Sequence, residues 1–477
     1  MRKIFYTLVV FVFLIAFSFC KKDKGLSNYG NYPNDIGKIM VTQCATSGCH
    51  DNISYIAASG LNLSTWDNLF KGSKSGSSVI PFSSKFSSLC YFINRFEEIG
   101  PVNYPTMPLN KDKLSKEEVL LIQNWIDAGA PDINGNIKWA DNPNRKKMYV
   151  TNQACDVVTV FDSETQLPMR YVEVGIDPNT TEVPHMIKVS PDGQYWYVVF
   201  TNSNIFQKFR CSDDKLVATT SLGANFDWNT CIISDDGTRA YCVAWSSNGH
   251  IASVDLTQMK LIKNYGGFAY PHGVGLNANN DIVYMTAQSG NFIFKLDTGF
   301  NTVQQISLDG LPPSSSASLN PHEFLISDNK QDFYITCSKS NELRVFNIAS
   351  ETVTQIIPTG ETPLEMSLAK NANKLFVTCM KDTVGGANGS VEVINTVNFS
   401  HQNIKIGAQP HGLAVDENKN ILYVASRNIY STGPAPHHTS VCGNRNGFVN
   451  FIEINTLQVK TKKTELAADP YSAAYRK

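Results

Sequence analysis

The stretch VTQCATSGCHDN, residues 41–52, separates Cys44 from Cys49 by four residues and sets His50 directly after the second cysteine. Two thiols beside an imidazole can form thioethers with the vinyl groups of a haem while the imidazole takes the iron, or they can close on each other as a small disulfide loop beside an idle histidine. The haem reading demands only the adjacency of Cys49 and His50. The four-residue gap, which includes Gly48, makes a longer loop than the familiar two-residue one and keeps that geometry within reach. Haem iron then needs a sixth ligand, and the stretch NYPTMPLN offers Met107 in a proline-flanked loop.

A second set of chemistry-bearing residues is dispersed along the chain at one position of a repeat. That position holds His185, Asn229, His272, His322, Leu364, His411 and Tyr471. Six of the seven follow a proline, four read Pro-His, and the whole chain has only nine histidines, so composition alone does not produce the column. Clustered imidazoles suit copper, zinc or iron, and they also suit proton transfer. The plainer alternative is a histidine at a strand start that hydrogen-bonds to its neighbour and does nothing else. His437 and His438, with Arg445, lie in a long insertion near the end of the chain and are further candidates.

Both sets sit on a scaffold whose pattern is visible in the sequence. From residue 146 on, short alternating runs recur around Tyr149, Tyr197, Tyr241, Tyr284, Tyr334, Phe376 and Tyr423, at spacings of 48, 44, 43, 50, 42 and 47 residues. A period near forty-five with several strands per unit predicts a propeller, because one four-stranded blade cannot cover its own faces. Seven units predict seven blades, and the terminal DPYSAAYRK matches the inner-strand segment that the first unit lacks, so the C-terminal strand should complete the first blade. The column then falls at the start of each innermost strand, around one mouth of the channel, on the face that also receives the long insertions. The repeats resemble the YVTN family of seven-bladed propellers, a likeness that speaks for fold and not for chemistry.

Residues 33–132 read as mostly helical. In LSKEEVLLIQNWIDAGAP, Ser115 and Glu118 form a capping box, Val119, Ile122, Trp125 and Ile126 fall at helical spacing, and Gly129 and Pro131 end the run. A helix leading into the cysteines, a Ser/Gly-rich loop, the methionine loop and this terminal helix together resemble bacterial cytochrome c-like domains. That resemblance implies one haem c attached at Cys44 and Cys49, with His50 as proximal and Met107 as distal iron ligand. The expected fold is therefore multidomain: a small all-α cytochrome c domain over 33–132, a linker over 133–145, and an all-β seven-bladed propeller over 146–477.

Residues 1–20 read as a transport address. Arg2 and Lys3 precede an apolar run over 4–19 that stops at Cys20, and a charged block opens the linker over 21–32. This resembles a bacterial lipoprotein signal, which implies lipidation of Cys20 and a periplasmic, outer-membrane or cell-surface location. The net charge of -1, from 41 basic and 42 acidic residues, gives no steering towards nucleic acid. An oxidising compartment permits disulfides, although Cys231, Cys242, Cys337 and Cys379 sit in strand-like apolar runs that suit buried thiols.

Several functional readings stay open on these grounds. The chain is an oxidoreductase with chemistry at the histidine-lined mouth, where a second metal ion or a small-molecule substrate would bind, or it is an electron carrier whose propeller docks a redox partner protein. A lactonase-like hydrolase is a third reading, to which a fused haem adds nothing obvious. The histidine ring is also similar to the copper centre of nitrous oxide reductases, but the chain has no recognisable cupredoxin domain.

Overall fold

The computed structural model describes residues 29–223, 227–382, 389–429, 442 and 445–477. Cys20 and the leader, and His437 and His438, lie outside the described residues, as does the Arg445 side chain.

Seven four-stranded antiparallel sheets make up the C-terminal part of the chain. Their strands form where β-branched and aromatic residues alternate between polar turns, and all six residues of Lys147–Asn152 are buried. The turns are built alike. Ser190 Oγ donates to Asp192 Oδ1 at 2.5 Å and accepts from Tyr195 N at 3.0 Å, and the same pair of bonds recurs at Ser234 and at Ser327. A short polar side chain thus closes each of these three turns on its own backbone, which fixes the register of the strand that follows.

The ring closes as the sequence predicts. Pro470–Arg476 pairs antiparallel with Lys147–Asn152, with Tyr149 opposite Ala474, so the first blade takes its innermost strand from the C-terminus. A disulfide between Cys155 and Cys442, 287 residues apart, joins the first blade to the insertion of the seventh. Between the first two blades, Lys147 Nζ reaches Asp214 Oδ2 at 2.6 Å and the Cys211 carbonyl at 2.8 Å, a buried ion pair at the interface.

The N-terminal region is not the small all-α domain its sequence leads one to expect. Among the described residues it holds four short α-helices, α1 (Asn34–Ile39), α2 (Trp66–Leu69), α3 (Ser88–Ile93) and α4 (Lys116–Asp127), and the chain as a whole is nearly all β. The cause lies in the connecting stretches. Ser, Thr and Asn over 57–65 and 71–88 offer their own side chains to the backbone, as Ser87 Oγ does to Ile80 N, and Pro81, Pro101, Pro105 and Pro108 withhold donors. Helix survives only where apolar spacing and caps agree, above all in α4, where the capping box at Ser115 and Glu118 is complete and Val119, Ile122, Trp125 and Ile126 are buried.

This region packs directly on the outer strands of the first and seventh blades. Ser77 Oγ donates to the Pro168 carbonyl at 2.7 Å, Glu465 N donates to the Ser75 carbonyl at 3.1 Å, and Phe86 stacks on Tyr171 with ring centres 4.5 Å apart. Gly76, at φ +103°, sits so close that a Cβ there would lie 2.6 Å from Thr464 Cγ2. Larger residues would push the two parts of the chain apart.

Candidate functional site

The cysteine pair follows α1, whose C-terminal end continues as a π-helical turn over Met40–Cys44. Cys44 is buried, Cys49 is half-buried, and both are free thiols, so the small disulfide loop is not formed. Burial pushes the Cys44 thiol up to about 12. His50 N donates to the Cys44 carbonyl at 3.2 Å, and His50 Nδ1 lies 2.9 Å from the Leu61 carbonyl. A carbonyl partner makes Nδ1 the protonated nitrogen and leaves the Nε2 lone pair available.

Met107 is half-buried and packs against the cluster that contains Cys44, Ile122 and Trp125. Its N–H donates to the Phe92 carbonyl at 2.7 Å, which anchors the loop to α3. Met40, the other methionine nearby, is 1% exposed and belongs to the core. A cleft of about 640 Å³ runs between Thr42 and Gln43 on one side and Pro108 to Asp112 on the other. Lys111 Nζ crosses to Thr46 Oγ1 at 2.6 Å. Two free thiols, an imidazole with Nε2 to spare and a thioether packed on the same core are a donor set that fits a covalently held haem.

The propeller mouth is built by the first residues of the inner strands Pro184–Val189, Asp227–Ile233, Pro271–Leu276, Pro321–Ile326, Pro363–Ala369, Pro410–Asp416 and Pro470–Arg476. A threonine in the neighbouring strand clips several of them together. Thr378 Oγ1 accepts from Glu365 N at 3.1 Å and donates to the carbonyl of His411, one blade on, at 2.8 Å. Thr286 bridges Gly273 N and the His322 carbonyl in the same way. Strand starts held by backbone bonds give their side chains fixed directions.

Those side chains fall into two groups. His185, Tyr471 and His411 stack in series, with ring centres 4.2 and 3.6 Å apart, and the Arg427 guanidinium lies 4.8 Å from the Tyr471 ring. Gln153 meets His185 Nδ1 at 2.6 Å, and Arg427 is paired with Asp469. On the fourth and fifth blades, His272 and His322 have ring centres 4.0 Å apart. Leu364 holds the column position on the blade between them, and the His322 and His411 rings meet edge to face with centres 6.5 Å apart. His272 Nδ1 and His411 Nδ1 each contact the backbone carbonyl of the following inner strand, at 3.2 Å, which is the plain inter-blade role. Burial holds His272 down at about 4 and pushes His185, His322 and His411 well below the ordinary imidazole range, so the mouth is lined with neutral rings.

Two acidic residues at this mouth are not evident from the Pro-His column. Glu323 and Glu365 each follow the column residue and are buried, and burial pushes both carboxyls up, Glu323 further through the Glu365 charge. Lys188 pulls in the opposite direction on both. The signal that finds them is an acidic residue inside an apolar strand run, PHEFLI and PLEMSL.

No protein-family profile and no curated protein matches the sequence. Similar solved structures include hydrazine synthase of Kuenenia stuttgartiensis, at 17% identity and a TM-score of 0.46, covering 59% of this chain and 81% of that one. Another is a functionally unknown protein from Desulfotomaculum acetoxidans, at 13% identity and a TM-score of 0.51, covering 68% of this chain and 99% of that one. At such identities the likeness is one of fold alone.

Proposed function

We propose that the chain is an exported redox protein that carries one haem on Cys44 and Cys49 and presents a binding site at the mouth of its propeller. The observation that carries this reading is the hydrogen bond from His50 Nδ1 to the Leu61 carbonyl, beside two unbonded thiols. It fixes the tautomer and ring orientation that an iron-binding imidazole needs.

The bound group would supply one-electron exchange. The chain's own residues would set its conditions. The Leu61 carbonyl holds His50 in place, the Phe92 carbonyl holds Met107, and Met107 packs against the buried cluster of Met40, Ile122 and Trp125. His50 and Met107 would be the residues that hold the iron, and an imidazole and a thioether as ligands would favour a comparatively high potential. Export and a lipid anchor at Cys20 belong to the same reading, and the Cys155–Cys442 bond suits the oxidising compartment that export implies.

Protein produced in a host that matures c-type haem should keep one haem through denaturing electrophoresis, and Cys49→Ser should lose firm attachment. Wild-type protein that emerges haem-free would overturn the reading. Met107→Ala should lower the potential and remove any methionine-to-iron charge-transfer band, with the haem still attached.

A second reading, a propeller that serves only as a docking platform for a redox partner, is favoured by the inter-blade bonds of His272 and His411, which give two of the four histidines a structural task. Metal analysis of the purified protein separates the two, because a platform binds no second metal.

A further inference from the structure

We propose that His272, His322 and Glu323 bind one divalent transition-metal ion of the zinc or ferrous class, at the channel mouth between the fourth and fifth blades. One donor atom from each of these three buried residues lies within 4.8 Å of the others, the one such group among the described residues. Metal–donor bonds of about 2.0–2.2 Å set donors about 3–4 Å apart, so rotation of side chains in place closes the set. Two imidazoles and one carboxylate select a borderline ion over a hard or a soft one, and three protein donors leave positions open for water or a ligand in the channel.

The donors are also prepared for a ligand. His272 Nδ1 is committed to the His322 carbonyl, which leaves Nε2 as the free donor of that ring. His322 Nδ1 and Glu323 Oε2 are buried and find no hydrogen-bond partner among the described residues. Unpaired polar atoms in such a place are costly to bury, and a metal ion satisfies both at once. The backbone supports the approach. A Cβ at Gly273 would lie 2.5 Å from the His322 carbonyl oxygen and 2.8 Å from Glu323 Cα, so glycine is what lets the two strands come this close. Thr286 then ties Gly273 N to the His322 carbonyl.

The test uses the full chain, stripped with a chelator and dialysed against Zn²⁺. Wild type should retain one zinc per chain and melt at a higher temperature with zinc than without. Glu323→Gln and His322→Ala should each bind zinc at least tenfold more weakly and lose the zinc-dependent rise, while His401→Ala, on an exposed outer strand, keeps both. The melt in chelator is read first, and Glu323→Gln, which exchanges one oxygen for nitrogen, carries the decision if His322→Ala does not fold. Folded wild type that retains no zinc, or a Glu323→Gln variant that retains it fully, overturns the proposal. The site does not depend on the haem: haem-free protein that binds zinc leaves it standing, and haem-loaded protein without zinc sinks it.

Discussion

Thr378 shows how much one hydroxyl does in this molecule. It accepts from Glu365 N and donates to the His411 carbonyl, so its replacement by the nearly isosteric valine leaves two buried backbone groups without it. Thr378→Val should lower stability by about 1–3 kcal/mol, measured by urea unfolding, and a change within error would mean that water replaces the hydroxyl. Lys147 carries a larger effect. It neutralises Asp214 in a buried pair, and Lys147→Ala should cost about 3–5 kcal/mol at neutral pH because the buried carboxylate loses its ion-pair partner. Burial already pushes Asp214 up, against the pull of Lys147 and Arg170. A carboxyl raised above its unfolded value favours the folded state most below about pH 4 and loses that advantage as pH rises through the folded value. The deficit of Lys147→Ala relative to wild type should therefore shrink on acidification, and a deficit that grows towards low pH would contradict the assignment. At this scale the sequence was only half legible. The Pro-His column stands out because composition cannot explain it, whereas Glu323 hides in a strand where one acidic letter looks incidental.

Single elements divide according to whether local and tertiary signals agree. In α4 they do: Ser115 accepts from Glu118 N, the Glu118 carboxylate accepts from Ser115 N at 2.8 Å, and one apolar face meets the core. Ser115→Ala should cost about 1 kcal/mol and no more than about 2, seen as earlier unfolding of the N-terminal region by hydrogen exchange, and unchanged protection there would show that packing alone sustains the helix. Blade strands are equally legible, since a period of two bounded by short polar turns leaves one solution. The all-α expectation failed between the helices. A resemblance carried by a cysteine pair, a methionine loop and one terminal helix speaks for those points only. The intervening Ser-, Asn- and Pro-rich chain is organised by the propeller it lies on, through Ser77, Phe86 and Gly76, and contacts with a distant part of the chain leave no period in the local sequence.

At the scale of the whole molecule, the question is what keeps seven blades in a ring. The seam between the first and seventh blades carries two clasps of different kinds. One is the strand Pro470–Arg476, which hydrogen-bonds to Lys147–Asn152 and removes an open edge. The other is the Cys155–Cys442 bond, which ties the same seam covalently and spans 287 residues of sequence. Phe86 of the N-terminal region packs with Val157 and Ala467 at this place, so opening the seam would also strip the surface on which that region rests. The disulfide restricts the unfolded chain, a restriction that is typically worth about 2–4 kcal/mol and lies at the upper end for a loop this long. The double variant Cys155→Ser/Cys442→Ser should therefore fold but lose about that much, and a reductant should bring wild type down to the same level while leaving the variant unmoved. Removal of 470–477 should be worse, because it exposes the full length of Lys147–Asn152 as an unpaired edge, and size-exclusion chromatography should show self-association in place of a monodisperse species. A truncated protein that stays monodisperse and as stable as wild type would mean that the disulfide and the N-terminal region close the ring without the strand.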